Sequence, residues 1–283
     1  MMMKWYKVTF CVCLICATSV SWAKHPFFHY PLLIIDGQQQ ALYPKHFRDT
    51  RGTSLSWLKE IGSGQFSETQ LRRIKRRIHA PIIIVDLRQE SHGFINGTPI
   101  SWYAPRNWAN MGLSNKGVRT DQAWRLRRLR KLRVVTAYHI LKKSHKGYVR
   151  QVSAQRLNVK NVMSERELAH KLGMGYVRFF VTDHTKPRER TAAHFTTFAR
   201  RVPKGTWLYF HCHAGVGRTT TFMVLYNIIK NKYHWPLAKI IWEQYRLGGK
   251  DLEKLTSKSR YKEPLARKRL HFLQQYYKAY TNK

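Results

Sequence analysis

The chain alternates short, strongly apolar runs with longer stretches in which apolar residues recur at helical spacing. Pro81–Leu87 (PIIIVDL), Tyr176–Thr182 (YVRFFVT) and Thr206–Phe210 (TWLYF) are β-branched and aromatic and read as buried strands. Helical spacing marks Thr191–Arg201, Arg218–Lys230, Pro236–Arg246 and Pro264–Tyr280. Leu132–Ile140 and Gly147–Val162 alternate like short antiparallel strands joined by the polar turn Lys142–Lys146. The pattern predicts an α/β fold, a mixed sheet flanked by helices, with a small β-rich insertion at about 129–161. The length of 283 residues suits one medium domain with room for that elaboration.

The N-terminus has a different pattern. Lys4 and Lys7 precede the apolar run Val8–Val20 and then Ser21-Trp22-Ala23, which fits a secretory signal over residues 1–23 with a small-x-small cleavage site. The run is too short to span a bilayer comfortably. Cleavage after Ala23 removes Cys11, Cys13 and Cys16 and leaves Cys212 as the only cysteine of residues 24–283, so no internal disulfide is available. The expected destination is the periplasm or the exterior.

Charge adds a second constraint. A formal net charge of +37 far exceeds what solubility requires. The runs Leu71–Ile78 (LRRIKRRI) and Trp124–Arg133 (WRLRRLRKLR) place basic residues around an apolar helical stripe, which locally describes a solvated helix face. Globally, such a field attracts polyanions: nucleic acid, an anionic membrane surface and inositol polyphosphates all qualify, and composition does not separate them.

The segment His211–Thr220 (HCHAGVGRTT) does carry chemistry. Cys212 falls at a strand-to-helix turn, where successive backbone N–H groups and a helix N-terminus can converge on one anion. His213, Ala214, Gly215, Val216 and Gly217 form the turn, the two glycines supplying its backbone angles. Arg218 returns a planar fork of donors to the same phosphate. A cysteine beside a helix N-terminus and a cation is placed to act as a thiolate, and a thiolate beneath a phosphate is a nucleophile for phosphoryl transfer. A plain buried cysteine leaves the glycines, Arg218 and Thr219 unexplained. A metal site built from His211, Cys212 and His213 would need three adjacent side chains to converge on one ion. No H-E-x-x-H motif, nucleophile-elbow serine, Walker loop or zinc spacing is present, so neither a metal nor another cofactor is expected.

With C-x5-R followed by Thr, the chain resembles the cysteine-dependent, protein tyrosine phosphatase-like superfamily, and in particular its bacterial phytases, which act on inositol polyphosphates. The resemblance rests on LYPKHFR (42–48), VDLRQESHGFINGTPISWY (85–103), NWAN (107–110), GMGYVRFFVTDH (173–184), FHCHAGVGRTTTFMV (210–224) and YRLGG (245–249). It implies the phosphatase-like fold with its small β-rich domain, and an exported phosphoric monoester hydrolase working through a phosphocysteine. Cys212 would be the nucleophile, Arg218 the phosphate clamp, Thr219 a hydroxyl that steadies the departing thiolate, and His211 a neighbour that tunes the thiol. Asp183, in the loop TDHTKP, would be the general acid; where many relatives carry Trp before the loop proline, this chain has Lys186 before Pro187. His184, Asp86 and Arg48 would contact substrate. Gln244, just before YRLGG, is a candidate to position the hydrolytic water. The other readings are a dual-specificity or phosphoinositide phosphatase and, in a different class, a basic polyanion-binding protein.

Overall fold

The computed structural model describes residues 28–257 and 259–281. The proposed signal segment and its three cysteines lie outside them. In chain order the elements are β1 (Leu32–Ile35), β2 (Arg48–Asp49), β3 (Glu60–Ser63), α1 (Glu68–Arg77), β4 (Ile82–Arg88), β5 (His92–Ile95), β6 (Thr98–Tyr103) and α2 (Asn115–Arg130). There follow β7 (Val134–Lys143), β8 (Val149–Asn158), β9 (Val162–Met163), α3 (Glu165–Lys171), β10 (Gly175–Val181), α4 (Glu189–Arg201), β11 (Trp207–His211), α5 (Gly217–Lys230), α6 (Leu237–Arg246) and α7 (Lys262–Thr281).

The three apolar runs become β4, β10 and β11 of a five-stranded sheet with order β10-β4-β11-β3-β2. β10, β4, β11 and β3 run parallel, and only β2 is antiparallel. Parallel strands need cover on both faces, which explains runs such as IIIV with no polar alternation. One face packs on α5, whose residues from Arg218 to Ile229 are all buried, with α4, α6 and α7 around it. The other face receives Leu71 and Ile74 from α1 with Ile78 just after it, and Leu168 and Ala169 from α3 with Leu172 just after it. Both of these helices open with a capping box, Ser67 with Gln70 and Ser164 with Glu167, which satisfies N–H groups that would otherwise lack partners. Within LRRIKRRI the apolar residues point inward and most of the basic ones outward, the solvated-face reading. In α2, Leu126 and Leu129 are buried, but Trp124 stands half exposed with Arg128 over its ring at 4.8 Å.

The hairpin belongs to a wider sheet. β7 and β8 form the expected hairpin, but β7 also pairs with β1, and the sheet continues as β8-β7-β1-β6-β5-β9. The added strands are short, β1, β5 and β6 coming from upstream of the hairpin and β9 from just after it. A local signal did exist for one piece: Asn96-Gly97 joins β5 to β6 with both residues at positive φ, the turn that an Asn-Gly pair between alternating apolar residues favours. The topology brings the C-terminal ends of β3, β4, β10 and β11 to one edge, where ligand sites of parallel sheets form.

Glu60 is fully buried, with Oε1 accepting from Gln244 Nε2 and Oε2 unpartnered. Burial pushes its carboxyl from 4.5 up to about 8, against the opposing pull of Gln244 and Arg48. Below pH 4.5 both folded and unfolded chains carry this proton. Between there and pH 8 the unfolded chain releases it while the folded chain keeps it, so stability falls as pH rises. Denaturant melts of Glu60→Gln should lose this component, leaving a flatter stability profile between pH 5 and 8 than the parent chain; an equally steep profile would place the proton elsewhere.

Candidate active site

β11 ends at His211 and α5 begins at Gly217, so Cys212 to Val216 form the turn between them. The turn is gripped by its carbonyls. Gln65 N–H donates to His213 O at 3.1 Å, His46 Nδ1 to Ala214 O at 2.8 Å, and Arg48 Nη1 to Gly215 O at 2.9 Å. Across a planar trans peptide the C=O and the following N–H point in opposite directions. Fixing these three carbonyls outward therefore turns the N–H groups of Ala214, Gly215 and Val216 inward. Gly215 N–H indeed donates to Cys212 Sγ at 3.2 Å, and Thr219 Oγ1 donates to the same sulfur at 3.2 Å. Gly215 has φ +78°, and a Cβ there would stand 2.2 Å from Gly64 N, so no larger residue fits.

Arg218 is fully buried and held as a fork. Nη1 and Nη2 donate to Glu90 Oε2 and Oε1 at 2.8 and 2.9 Å, and Nη1 also reaches Val181 O at 3.0 Å. Glu90 in turn accepts from Arg88 Nε at 2.9 Å, and Arg88 Nη1 donates to Asp36 Oδ2 at 2.8 Å. Burial would raise the Glu90 carboxyl, but Arg218 and Arg88 on either side hold it well below the usual range.

Asp183 follows β10, with Oδ1 3.2 Å from Arg218 Nη2. Asn107 Nδ2 donates to its Oδ2 at 3.0 Å and Trp108 Nε1 to its backbone oxygen at 2.9 Å. Burial pulls its pKa up, but the charge of Arg218 prevails and holds it at about 2 in this unliganded arrangement. His184 sits beside it at φ +68°, its ring depressed to about 4 by burial despite the opposing charge of Asp183. Arg269 of α7, only 4% exposed, donates from Nη2 to His184 O at 2.6 Å, and its Nη1 would lie 3.3 Å from a Cβ on Gly217. It thus ties the Asp183 loop to the Cys212 turn.

The structure gathers Cys212, Arg218, Thr219, Asp183, His184 and the turn residues 213–217 in one place. It puts three expected site residues elsewhere. Asp86 lies on β4 with no exposed surface, its oxygens taken by Tyr176 OH, Arg178 Nε and Arg88 N–H, so it belongs to the core rather than to a substrate. Gln244 is likewise fully buried, committed to Glu60, and cannot present its amide to a water in the pocket. Arg48 is 5% exposed and spends its guanidinium on Gly215 O, His46 O and Thr220 Oγ1, shaping the turn from behind instead of touching a ligand. His211 is buried too, with Nε2 donating to Glu165 Oε1 at 2.6 Å.

His211, Glu165 and Asp86 have ligand-type atoms within 4.8 Å of one another, the geometry a metal would need. The donor set does not suit one. Glu165 already accepts from His211 and Gln65, and a guanidinium, Arg178, stands 3.0 Å from Asp86, where it would repel a cation. The cluster is an ion-pair network.

Sequence reasoning missed Glu90, Asn107, Trp108 and Arg269, although the first three lie in DLRQES and NWAN. Asn107 and the preceding Arg106 both have positive φ, a backbone found where surrounding structure compels it. Also missed were Lys143 at the end of β7, with Lys250 and Lys262. Burial lowers the Lys143 and Lys250 ammonium groups, the positive charge of Lys262 lowers both further, and Asp183 raises Lys143. Lys143, its ammonium 4.7 Å from the ring of Tyr103, thus feels the charge of Asp183, and Lys250 feels those of Arg269 and Lys262.

Comparison with known proteins agrees with this geometry. The family model of PTP-like phytases, described by the words inositol hexakisphosphate, matches residues 85–230. Effector protein hopD2 of Pseudomonas syringae pv. tomato is 32% identical over 230 residues, which is 79% of this chain and 48% of that protein. The tandemly repeated phosphatase-like phytase of Mitsuokella multacida superposes with a TM-score of 0.80 at 27% identity, covering 92% of this chain and 48% of that one. A phosphatase-like phytase from Bdellovibrio bacteriovorus gives 0.71 at 29% identity, covering 90% and 92%. The chain thus spans about half the length of hopD2 and of the Mitsuokella protein. On the matched residues and the shared fold, it belongs to the protein tyrosine phosphatase-like phytase family.

Proposed function

We propose that the chain is a phosphoric monoester hydrolase that removes phosphate from inositol polyphosphates through a phosphocysteine. The observation that carries this reading is the Cys212 turn: its carbonyls are tied outward, its sulfur receives two hydrogen bonds, and Arg218 and Asp183 stand at its mouth. One Mitsuokella structure holds myo-inositol-(1,3,4,5)-tetrakisphosphate, and the surround of Arg269, Lys143, Lys250 and Lys262 suits a ligand with several phosphates.

In the first step, Cys212 Sγ attacks phosphorus while the ester P–O bond breaks. The alkoxide is a poor leaving group, so Asp183 must give it a proton. Asp183 is ionised in the free site because Arg218 faces it. A phosphate dianion in the turn competes for Arg218 and sets negative charge beside the carboxylate. Both effects raise its pKa, so the substrate itself brings the acid into its protonated form. In the second step the carboxylate takes a proton from water, whose oxygen attacks phosphorus. The P–S bond breaks, and the Thr219 hydroxyl steadies the thiolate that leaves.

Export is supported by the N-terminal pattern of residues 1–23. Similarity to an effector protein favours a second reading, in which the same chemistry serves phosphoproteins or phosphoinositides outside the producing cell.

Cys212→Ser should abolish turnover and retain phosphate binding, since the turn amides and Arg218 remain; phosphate release above a few per cent of the parent rate refutes the nucleophile. Asp183→Asn should lower kcat on inositol hexakisphosphate by ~10²–10⁴ and do far less to p-nitrophenyl phosphate, whose leaving group barely needs a proton. The parent kcat should peak on the acid side, near pH ~5, and fall at higher pH as the complex loses the Asp183 proton. That falling limb should vanish in the Asn variant, and its persistence would assign it to another group. Inositol hexakisphosphate should exceed a phosphotyrosine peptide in kcat/KM, by a margin that shrinks with salt as the rim lysines are screened over ~8 Å at ~0.15 M. A peptide preference that holds at every salt concentration favours the second reading.

A further inference from the structure

A concave groove of about 560 Å³ opens on the outer edge of the five-stranded sheet, between α2, the start of α3 and β10. None of its lining residues belongs to the Cys212 site. Arg119, Arg127, Arg130, Arg166 and Arg178 line it, and Glu167 is the one acid on its wall. Arg178 is committed to Asp86, Arg88 O, Glu90 O and Gln122, and Arg130 pairs with Glu167 at 3.0 Å. The other three are uncompensated: among the described residues, Arg119, Arg127 and Arg166 form no carboxylate pair. Two of them are nonetheless held in place. Arg119 lies 4.9 Å from the ring of Phe180, which also carries Arg178 at 4.6 Å, and Arg166 lies 5.6 Å from the ring of Tyr176.

An aromatic face positions a guanidinium without neutralising it and leaves the N–H edges free to fork onto oxygens. Arg119 and Arg127, eight residues apart on α2, stand about 12 Å apart along its axis. One phosphate cannot bridge that distance, but a ligand carrying several can. Phe180 is buried and already bears two guanidiniums, so it offers no surface on which a nucleic-acid base could stack.

We propose that this groove is a second, non-catalytic site for a compact polyphosphate, held by Arg119, Arg127 and Arg166. The choice of inositol hexakisphosphate as probe rests on the proposed substrate class; occupancy of the groove does not require hydrolysis.

The test is calorimetric titration of inositol hexakisphosphate into the full chain carrying Cys212→Ser, alone and with Arg127→Glu and Arg166→Glu. Two sites are expected in the first protein. The pair of groove substitutions should weaken one of them at least tenfold, while the same pair in the active enzyme leaves kcat/KM on p-nitrophenyl phosphate within twofold. Arg150→Glu with Arg156→Glu, on the exposed face of β8, removes equal charge elsewhere and should keep both sites. Failure of the substrate assignment would look different: a single site, abolished by the groove pair. The proposal is overturned by a site count and affinity that the groove pair leaves unchanged, by equal loss in the β8 control, or by displacement of the groove-bound probe by an oligonucleotide at matched phosphate concentration.

Discussion

The pairing of Arg218 with Glu90 holds the rest of the site in place. A guanidinium with no exposed surface needs an anion beside it, and removing one partner of a buried pair is far more costly than the pair is worth. Glu90 accepts from both Nη atoms of Arg218 while also accepting from Arg88 and Asn107. Arg88 is anchored by Asp36, and Asn107 reaches Asp183. One carboxylate therefore fixes Arg218, the end of β4 and the Asn107 amide that meets Asp183. Arg218 is thus ordered before anything binds, the sense in which a site is preorganised.

The chain's cationic excess is distributed with the same economy. Where positive charge meets buried carboxylates, as at Arg88, Arg178 and Arg218, it shapes backbone and holds loops. Elsewhere, burial and the charge of neighbouring cations lower the ammonium groups of Lys143 and Lys250. In the free site Asp183 lies against Arg218.

The second sheet meets the site through Asp36. β7 pairs with β1, and Asp36, just after β1, anchors Arg88 and meets His213 at 3.2 Å. The β-rich part is therefore continuous with the catalytic machinery through one strand, and not merely appended to it.

The sequence by itself determined the parts of this protein whose cause is local. Runs such as IIIV and TWLYF can only be covered strands, α5 is apolar nearly all round, and the spacing Cys212–Arg218 with its glycines encodes an anion-binding turn, since backbone angles and helix periodicity are properties of neighbouring residues. Asp183 was legible through its place at a strand end within a resembled segment. Tertiary structure decided which carboxylate meets which cation. Asp86 and Glu90 are four residues apart in one segment, yet β4 buries the first against Arg178 and Tyr176 while the turn after it delivers the second to Arg218. Arg48 and Gln244 went the same way, polar residues near the right motifs whose side chains packing turned into the wall behind the turn. The short strands β1 and β9 gain their stability from partners distant in the chain, and Arg269 arrives from the last helix. Such contacts leave no periodic trace, because each is fixed by the closing of a long loop and not by the residues beside it.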